Sequence, residues 1–165
     1  MITSGIVRKI DDLGRVVLPK EIRKYLNINP GDDFKIEIEG NKITLEKFSK
    51  LGNYENQILN IINCFLGVIE EKIYLVVNNK LINHNNELIN NDLFNIILQR
   101  KVYINDSINK IMLSNDFIIE GKLIIYPIVI DSDLLGAIIV IGNNVSSMLI
   151  ISKILFNIIK YKQSI

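Results

Sequence analysis

The sequence predicts an α+β protein in two parts: a ββαββ unit over residues 1–50 and a larger antiparallel sheet-and-helix unit over residues 51–165. Three observations lead there. Turn signals punctuate the first fifty residues at Asp11-Asp12-Leu13-Gly14, Asn29-Pro30-Gly31-Asp32 and Glu39-Gly40-Asn41. Apolar and charged residues alternate between them with the period of a half-buried strand. Behind them, stripes at helical spacing flank runs of β-branched residues.

The first elements follow from residue chemistry. Gly5 to Ile10 reads as a strand, Asp11 to Gly14 as a turn, and Arg15 to Leu18 as a second strand. Asp bonds its own backbone and Gly accepts positive φ, which is what a tight turn needs. Pro19 opens a helix, where its missing N–H costs nothing. That helix covers Lys20 to Leu26, with Asn27 as its stop. Lys20, Arg23 and Lys24 fall within one arc of about 100°, opposite Ile22, Tyr25 and Leu26. Phe34, Ile36 and Ile38 then alternate with Lys35, Glu37 and Glu39. Ile43 and Leu45 do the same in a return strand after Gly40-Asn41.

Charge is distributed unevenly. The net charge is +1, yet residues 1–24 carry six Lys or Arg against three Asp or Glu. The six are Arg8, Lys9, Arg15, Lys20, Arg23 and Lys24. A basic start of this kind permits nucleic-acid binding. On spacing alone, Lys20 and Lys24 would be solvated helix charges. Asp11 and Asp12 are turn formers, since no histidine or further carboxylate stands at ligand spacing. Fifty residues with four short strands and one short helix also bury little apolar surface. With no disulfide or metal site to help, a second copy is the simplest remedy, and it would duplicate the basic patch.

The run Gly5-Ile-Val-Arg-Lys-Ile-Asp-Asp-Leu-Gly-Arg-Val-Val-Leu-Pro-Lys-Glu-Ile-Arg-Lys24, followed by Asn29-Pro-Gly-Asp32, resembles the AbrB/SpoVT family of bacterial transition-state and sporulation regulators. The resemblance covers nearly all of residues 3–48. It implies a swapped-hairpin dimeric β-barrel of two interleaved subunits that binds double-stranded DNA through arginines. The matching positions are Arg8, Arg15 and Arg23; a fourth, usually arginine, is Lys24 here. Lysine keeps the charge but lacks the bidentate fork, so phosphate contact survives there better than base contact. Lys9, Lys20 and Lys24 are accordingly expected on phosphates, and Arg8, Arg15 and Arg23 at bases or groove walls. Near DNA, Asp11 and Asp12 would orient Arg8 and Arg15.

Residues 51–165 begin, after a junction at 47–53, with a helix marked by Tyr54, Ile58, Ile61, Ile62 and Phe65. A strand hairpin is expected over Val68–Val77 and a helix over Glu87–Gln99, packing through Leu88, Phe94, Ile97 and Leu98. Asn78–Asn91 is Asn-rich and ambiguous. Strands are expected at Val102–Ile104, Phe117–Glu120, Lys122–Ile130 and Leu134–Ile141. Met148, Ile151, Ile154, Leu155 and Ile158 mark a closing helix. Tyr126-Pro127-Ile128-Val129 with Gly136-Ala137-Ile138 resembles the central hairpin of GAF domains. The layout is similar to AbrB/SpoVT members that carry a small GAF-like α/β sandwich behind the DNA-binding part. No ligand residue is assigned by that likeness. It leaves open a small-molecule effector or a purely structural oligomerisation module. The two terminal helices offer a second association surface, and association at both ends would give a tetramer.

Composition bounds the remaining classes. A hydrophobic fraction of 48% and a mean hydropathy of +0.26 exclude a disordered chain. The one cysteine, Cys64, sits in an apolar run and is expected to be a buried, unreactive thiol. Leu134–Ser152 carries no charge, but Gly142-Asn143-Asn144 and Ser146-Ser147 break it into strand, turn and helix, so no membrane span is expected. The chain becomes charged and strand-like at once, so no signal peptide is read, and a reduced cytoplasmic protein is expected. No P-loop, dinucleotide fingerprint, zinc spacing or cofactor motif stands out. His84 has no nucleophile beside it, so an enzyme is not expected. An antitoxin shares the N-terminal fold, but it would continue into an acidic tail, whereas this continuation is apolar.

Overall fold

The computed structural model describes residues 5–26, 28, 30–48 and 51–163. Asn27 (the expected helix stop), Asn29 (the start of the expected turn) and residues 49 and 50 of the expected junction lie outside them. Contacts divide the chain into two units, Met1–Phe48 and Ser49–Ile165.

In the first unit, helix α1 spans Lys20–Tyr25, and strands β1 (Phe34–Glu39) and β2 (Lys42–Lys47) form an antiparallel hairpin. Pro19 precedes the helix as its N-cap, and its carbonyl accepts the first helical bond from the Arg23 N–H at 3.0 Å. Gly40 takes φ +57°, as the first residue of a primed two-residue turn must. The expected strands over 5–10 and 15–18 do not form ladders within one copy. Their turn closes, but the arms on either side of it are assigned to no strand or helix. Among the described side chains of β1 and β2, only Phe34 keeps the expected half-burial; Ile36, Ile38, Ile43 and Leu45 are exposed. Ile36 pairs with Leu45 and Ile38 with Ile43, so all four side chains share one face. That face is open, with Ile38 77% exposed, and Val7 on the first arm is 86% exposed. Pro19 is the one buried side chain among the described residues of this unit.

The second unit is a six-stranded antiparallel sheet of order β5-β4-β3-β8-β7-β6. Its strands are β3 (Lys72–Val77), β4 (Lys80–Leu81), β5 (Glu87–Leu88), β6 (Tyr103–Met112), β7 (Ile118–Ile130) and β8 (Asp133–Gly142). Helices α2 (Glu55–Leu66) and α4 (Val145–Gln163) cover one face, and α3 (Asn91–Leu98) covers the other. Alternation divides the side chains between two cores. Ile73, Leu75, Ile124, Ile138 and Val140 meet Ile58, Ile62, Met148, Ile151, Leu155 and Ile159. Tyr74, Val76, Leu123, Ile125, Ile139 and Ile141 meet Leu93 and Ile97. The uncharged run near residue 142 is therefore strand, turn and helix. Among the described residues no helix is long and apolar enough to cross a membrane.

Several expectations are corrected here. Val68–Glu71 is turn rather than strand, and α3 starts at Asn91, where Asn90 caps it by accepting from the Asp92 N–H. Leu88 and Leu98 are exposed, while Leu93 takes the core position. β6 runs eight residues beyond Ile104, and β7 passes through Gly121 as one strand. Ile154 faces out and Ile159 faces in, one residue past the expected Ile158. Cys64 is exposed because Ile58, Ile62 and Phe65 claim the inner face of α2.

Two residues show how tightly the sheet is drawn. β6 pairs with β7 only as far as Ile125, so at Pro127 β7 has β8 alone as neighbour, a place that tolerates proline. At Gly136 a Cβ would lie 2.2 Å from the Val76 carbonyl oxygen, so the β3–β8 approach admits glycine alone. Gly136→Ala should lower unfolding stability by about 1–3 kcal/mol, the usual cost of forcing atoms into a filled core. A shift of the urea midpoint toward lower concentration checks this; a midpoint equal to the parent's would show that the strands separate freely.

Candidate nucleic-acid interface

All six expected basic residues lie on the surface. Arg8 and Lys9 stand on the arm before the first turn, and Arg15 ends the turn. Lys20, Arg23 and Lys24 share one side of α1, at the i, i+3 and i+4 positions where helix side chains are neighbours. Arg23 and Lys24 occupy the last turn of the helix, where cations suit the macrodipole. Ile22, behind them, is half-buried, while Tyr25 and Leu26 remain exposed.

Asp11 organises the turn. Its Oδ1 accepts from the backbone N–H of Leu13 at 3.0 Å and of Arg15 at 2.8 Å. Its Oδ2 accepts from Arg15 Nε at 2.8 Å. The main chain closes the same loop, with the Asp11 N–H donating to the Arg15 carbonyl at 3.1 Å and Gly14 N–H to the Asp11 carbonyl at 2.9 Å. Gly14 sits at φ +75°, which accounts for a glycine there. Asp11 thus engages Arg15, and among the described residues it makes no such pair with Arg8. Sequence reasoning grouped the two acids as turn formers; the Asx spacing from Asp11 to Leu13 was the signal that separates Asp11 from Asp12.

The Arg15 backbone N–H, followed by its guanidinium, holds the Asp11 carboxyl below the usual carboxylate range. No cluster of three or more His, Cys, Asp or Glu able to hold a metal occurs among the described residues.

The second unit carries a shallow groove of about 440 Å³, lined by Leu66, Ile73, Tyr74, Asn83 and His84 among others. Asn83 ties its wall to β3, accepting from the Leu75 N–H at 2.9 Å and donating to the Ile73 carbonyl at 2.7 Å. The His84 ring stacks on Phe117 at 3.9 Å between centroids. The Glu87 carboxylate accepts from the Ser114 hydroxyl, which keeps it below its ordinary range. Burial pushes the Tyr74 phenol up.

Comparison with known proteins bears on the first unit most strongly. Residues 7–50 match the family described as antidote-toxin recognition MazE, bacterial antitoxin. The chain is 48% identical over 48 residues to the transition state regulatory protein AbrB of Bacillus subtilis (strain 168), spanning 29% of this chain and 50% of that protein. The N-terminal unit is a MazE/AbrB-type domain. Over 52 residues it is 42% identical to the putative transition state regulator Abh of the same organism, covering 32% of this chain and 56% of that one. The likeness to stage V sporulation protein T of the same organism extends further. It is 29% over 154 residues, covering 87% of this chain and 86% of that relative. The AbrB-type domain therefore holds the turn, α1 and all six basic residues.

The folded value for Asp11 lies below the unfolded one, so its stabilising contribution is present above about pH 3.9 and is lost as pH falls through the lower folded value. An NMR titration of the Asp11 carboxyl carbon should give a midpoint below about 3.9. A midpoint at or above it would mean that the bonds to Arg15 are not kept in solution.

Proposed function

We propose that the protein is a sequence-preferring DNA-binding transcription regulator of sporulation or transition-state genes, acting as a homo-oligomer. The observation that carries this is the exposed basic turn and helix of an AbrB-type domain, with cations on both arms of the turn and along one side of α1. Lys9, Lys20 and Lys24 contact phosphates and supply salt-dependent affinity. Arg8, Arg15 and Arg23 reach bases or groove walls, where a guanidinium can bond two acceptors at once.

Assembly is part of the same reading. The open apolar face of β1 and β2 and the unpaired arms over 5–18 are completed by a second copy, in a swapped-hairpin barrel that sets two basic patches side by side. The sheet of the second unit, with its first and last helices on one face, supports a GAF-like module. Ile150, Ile154 and Tyr161 lie exposed along α4 and favour a second association there, giving a tetramer. The groove beside His84 is the place in this module for a small-molecule effector.

The matched family's description favours a second reading, an antitoxin that binds a toxin. Against it, the residues beyond 51 pack a sheet with two cores rather than extending as a tail.

Replacing Arg15 by alanine should lower affinity for DNA selected from a random pool by roughly 5- to 150-fold at moderate salt, since one bidentate base contact is worth about 1–3 kcal/mol. Lys24→Ala should weaken binding to all sequences alike and reduce the salt slope by roughly one unit, as expected when one phosphate is no longer neutralised. Fluorescence anisotropy over a salt series measures both. Parental binding by Arg15→Ala would overturn the assignment of this patch, and a changed sequence preference in Lys24→Ala would make Lys24 a base reader.

A further inference from the structure

The turn between the two arms holds its arginine in a specific way. Arg15 is 70% exposed, yet its Nε–H is fixed to Asp11 Oδ2 at 2.8 Å, and its own backbone N–H is fixed to Oδ1 of the same carboxylate. Both ends of the side chain are thus anchored to one group four residues back. A guanidinium has five N–H donors. With Nε–H engaged, the four Nη hydrogens make no hydrogen bond to the described residues, on a side chain that is mostly exposed.

We infer that Asp11 is a positioning residue for DNA recognition: it aims the Nη edge of Arg15 outward, so that the fork is ordered before DNA arrives. The inference rests on the DNA-binding reading above. An exposed arginine otherwise gives up rotamer freedom on binding, which weakens the complex by roughly 2- to 12-fold for each side chain immobilised. An aspartate also repels phosphate, so its presence in a basic patch lowers non-specific affinity. Repulsion weakens binding to any duplex alike, whereas ordering the fork favours only the complex in which Arg15 reads bases. Asp11 therefore raises the ratio of specific to non-specific binding.

The test uses the full chain and Asp11→Asn. The asparagine Oδ1 can still accept from the Leu13 and Arg15 N–H groups, so the turn is kept, while the charge-assisted bond to Nε is lost. DNA selected by the parent from a random pool is compared with a scrambled duplex. The expected result is a specificity ratio lowered roughly 2- to 12-fold for each copy on the duplex, with scrambled-DNA binding equal or tighter. In an Arg15→Ala background, Asp11→Asn should change the ratio no further. If Asp11→Asn tightens both duplexes equally, Asp11 acts only as a charge and the inference falls. If both weaken together with a lower melting temperature, Asp11 is merely structural and the inference falls again. If Arg15→Ala itself binds like the parent, the DNA-binding reading fails first, which keeps the two failures apart. A variant-free measurement stands beside these: the Arg15 Nε–H resonance of the DNA-free parent should exchange more slowly than that of free arginine, and an equal rate would overturn the proposal.

Discussion

The apolar face made by Ile36, Ile38, Ile43 and Leu45 is exposed among the described residues. Burial of apolar surface is the main favourable term in folding, and a two-stranded hairpin alone is marginal in water. Residues 5–18 are strand-like in sequence on either side of their turn, yet join no ladder among the described residues. In the proposed assembly a second copy supplies both missing parts at once, a cover for the face and partners for the arms. DNA binding and assembly would then be one property, because the arms to be paired are the arms that bear Arg8, Lys9 and Arg15.

The two units solve the packing problem differently. The second closes on itself: its central strands are buried on both faces, with α2 and α4 on one side and α3 on the other. It has close approaches, such as Gly136 on the Val76 carbonyl, which belong to a finished core. The first unit keeps only what short-range chemistry can hold, namely its turns, one hairpin and a helix of less than two turns. The Asp11 carboxylate is the clearest case. Its three hydrogen bonds all stay within four residues, so the turn is formed whether or not the arms on either side have found partners.

What could be read in the sequence was what local chemistry decides. The turns at Asp11–Gly14 and at Gly40-Asn41, the hairpin that the second one closes, and helices α2 and α4 came from turn residues and from period. The six cations were legible as a group because a basic cluster is a matter of composition. The link from Asp11 to Arg15 rather than to Arg8 was not, since it depends on which way the turn closes. The sequence marks only Val102 to Ile104, at the start of β6, because Asn105-Asp106-Ser107 interrupts the apolar run. An edge strand exposed on most of its length carries no alternation, and only its ladder to β7 defines it. Leu88, Leu98 and Ile154 look like core because apolar residues stand at plausible spacing, and Cys64 looks buried from its neighbours. In each case a nearby residue, Leu93, Ile97, Leu155 or Ile62, held the inward position. Tertiary contact decides such choices, and a single sequence does not contain it.

The central claim is that the N-terminal unit is completed by a second copy. Mixing two differently isotope-labelled preparations of the full chain and recording isotope-filtered NOEs tests it most directly. The account predicts intermolecular contacts between the methyl groups of Ile36, Ile38, Ile43 or Leu45 of one copy and those of Val7, Val16 or Val17 of the other. Contacts among these methyls that are only intramolecular, or their absence in a sample that is otherwise folded, would contradict it.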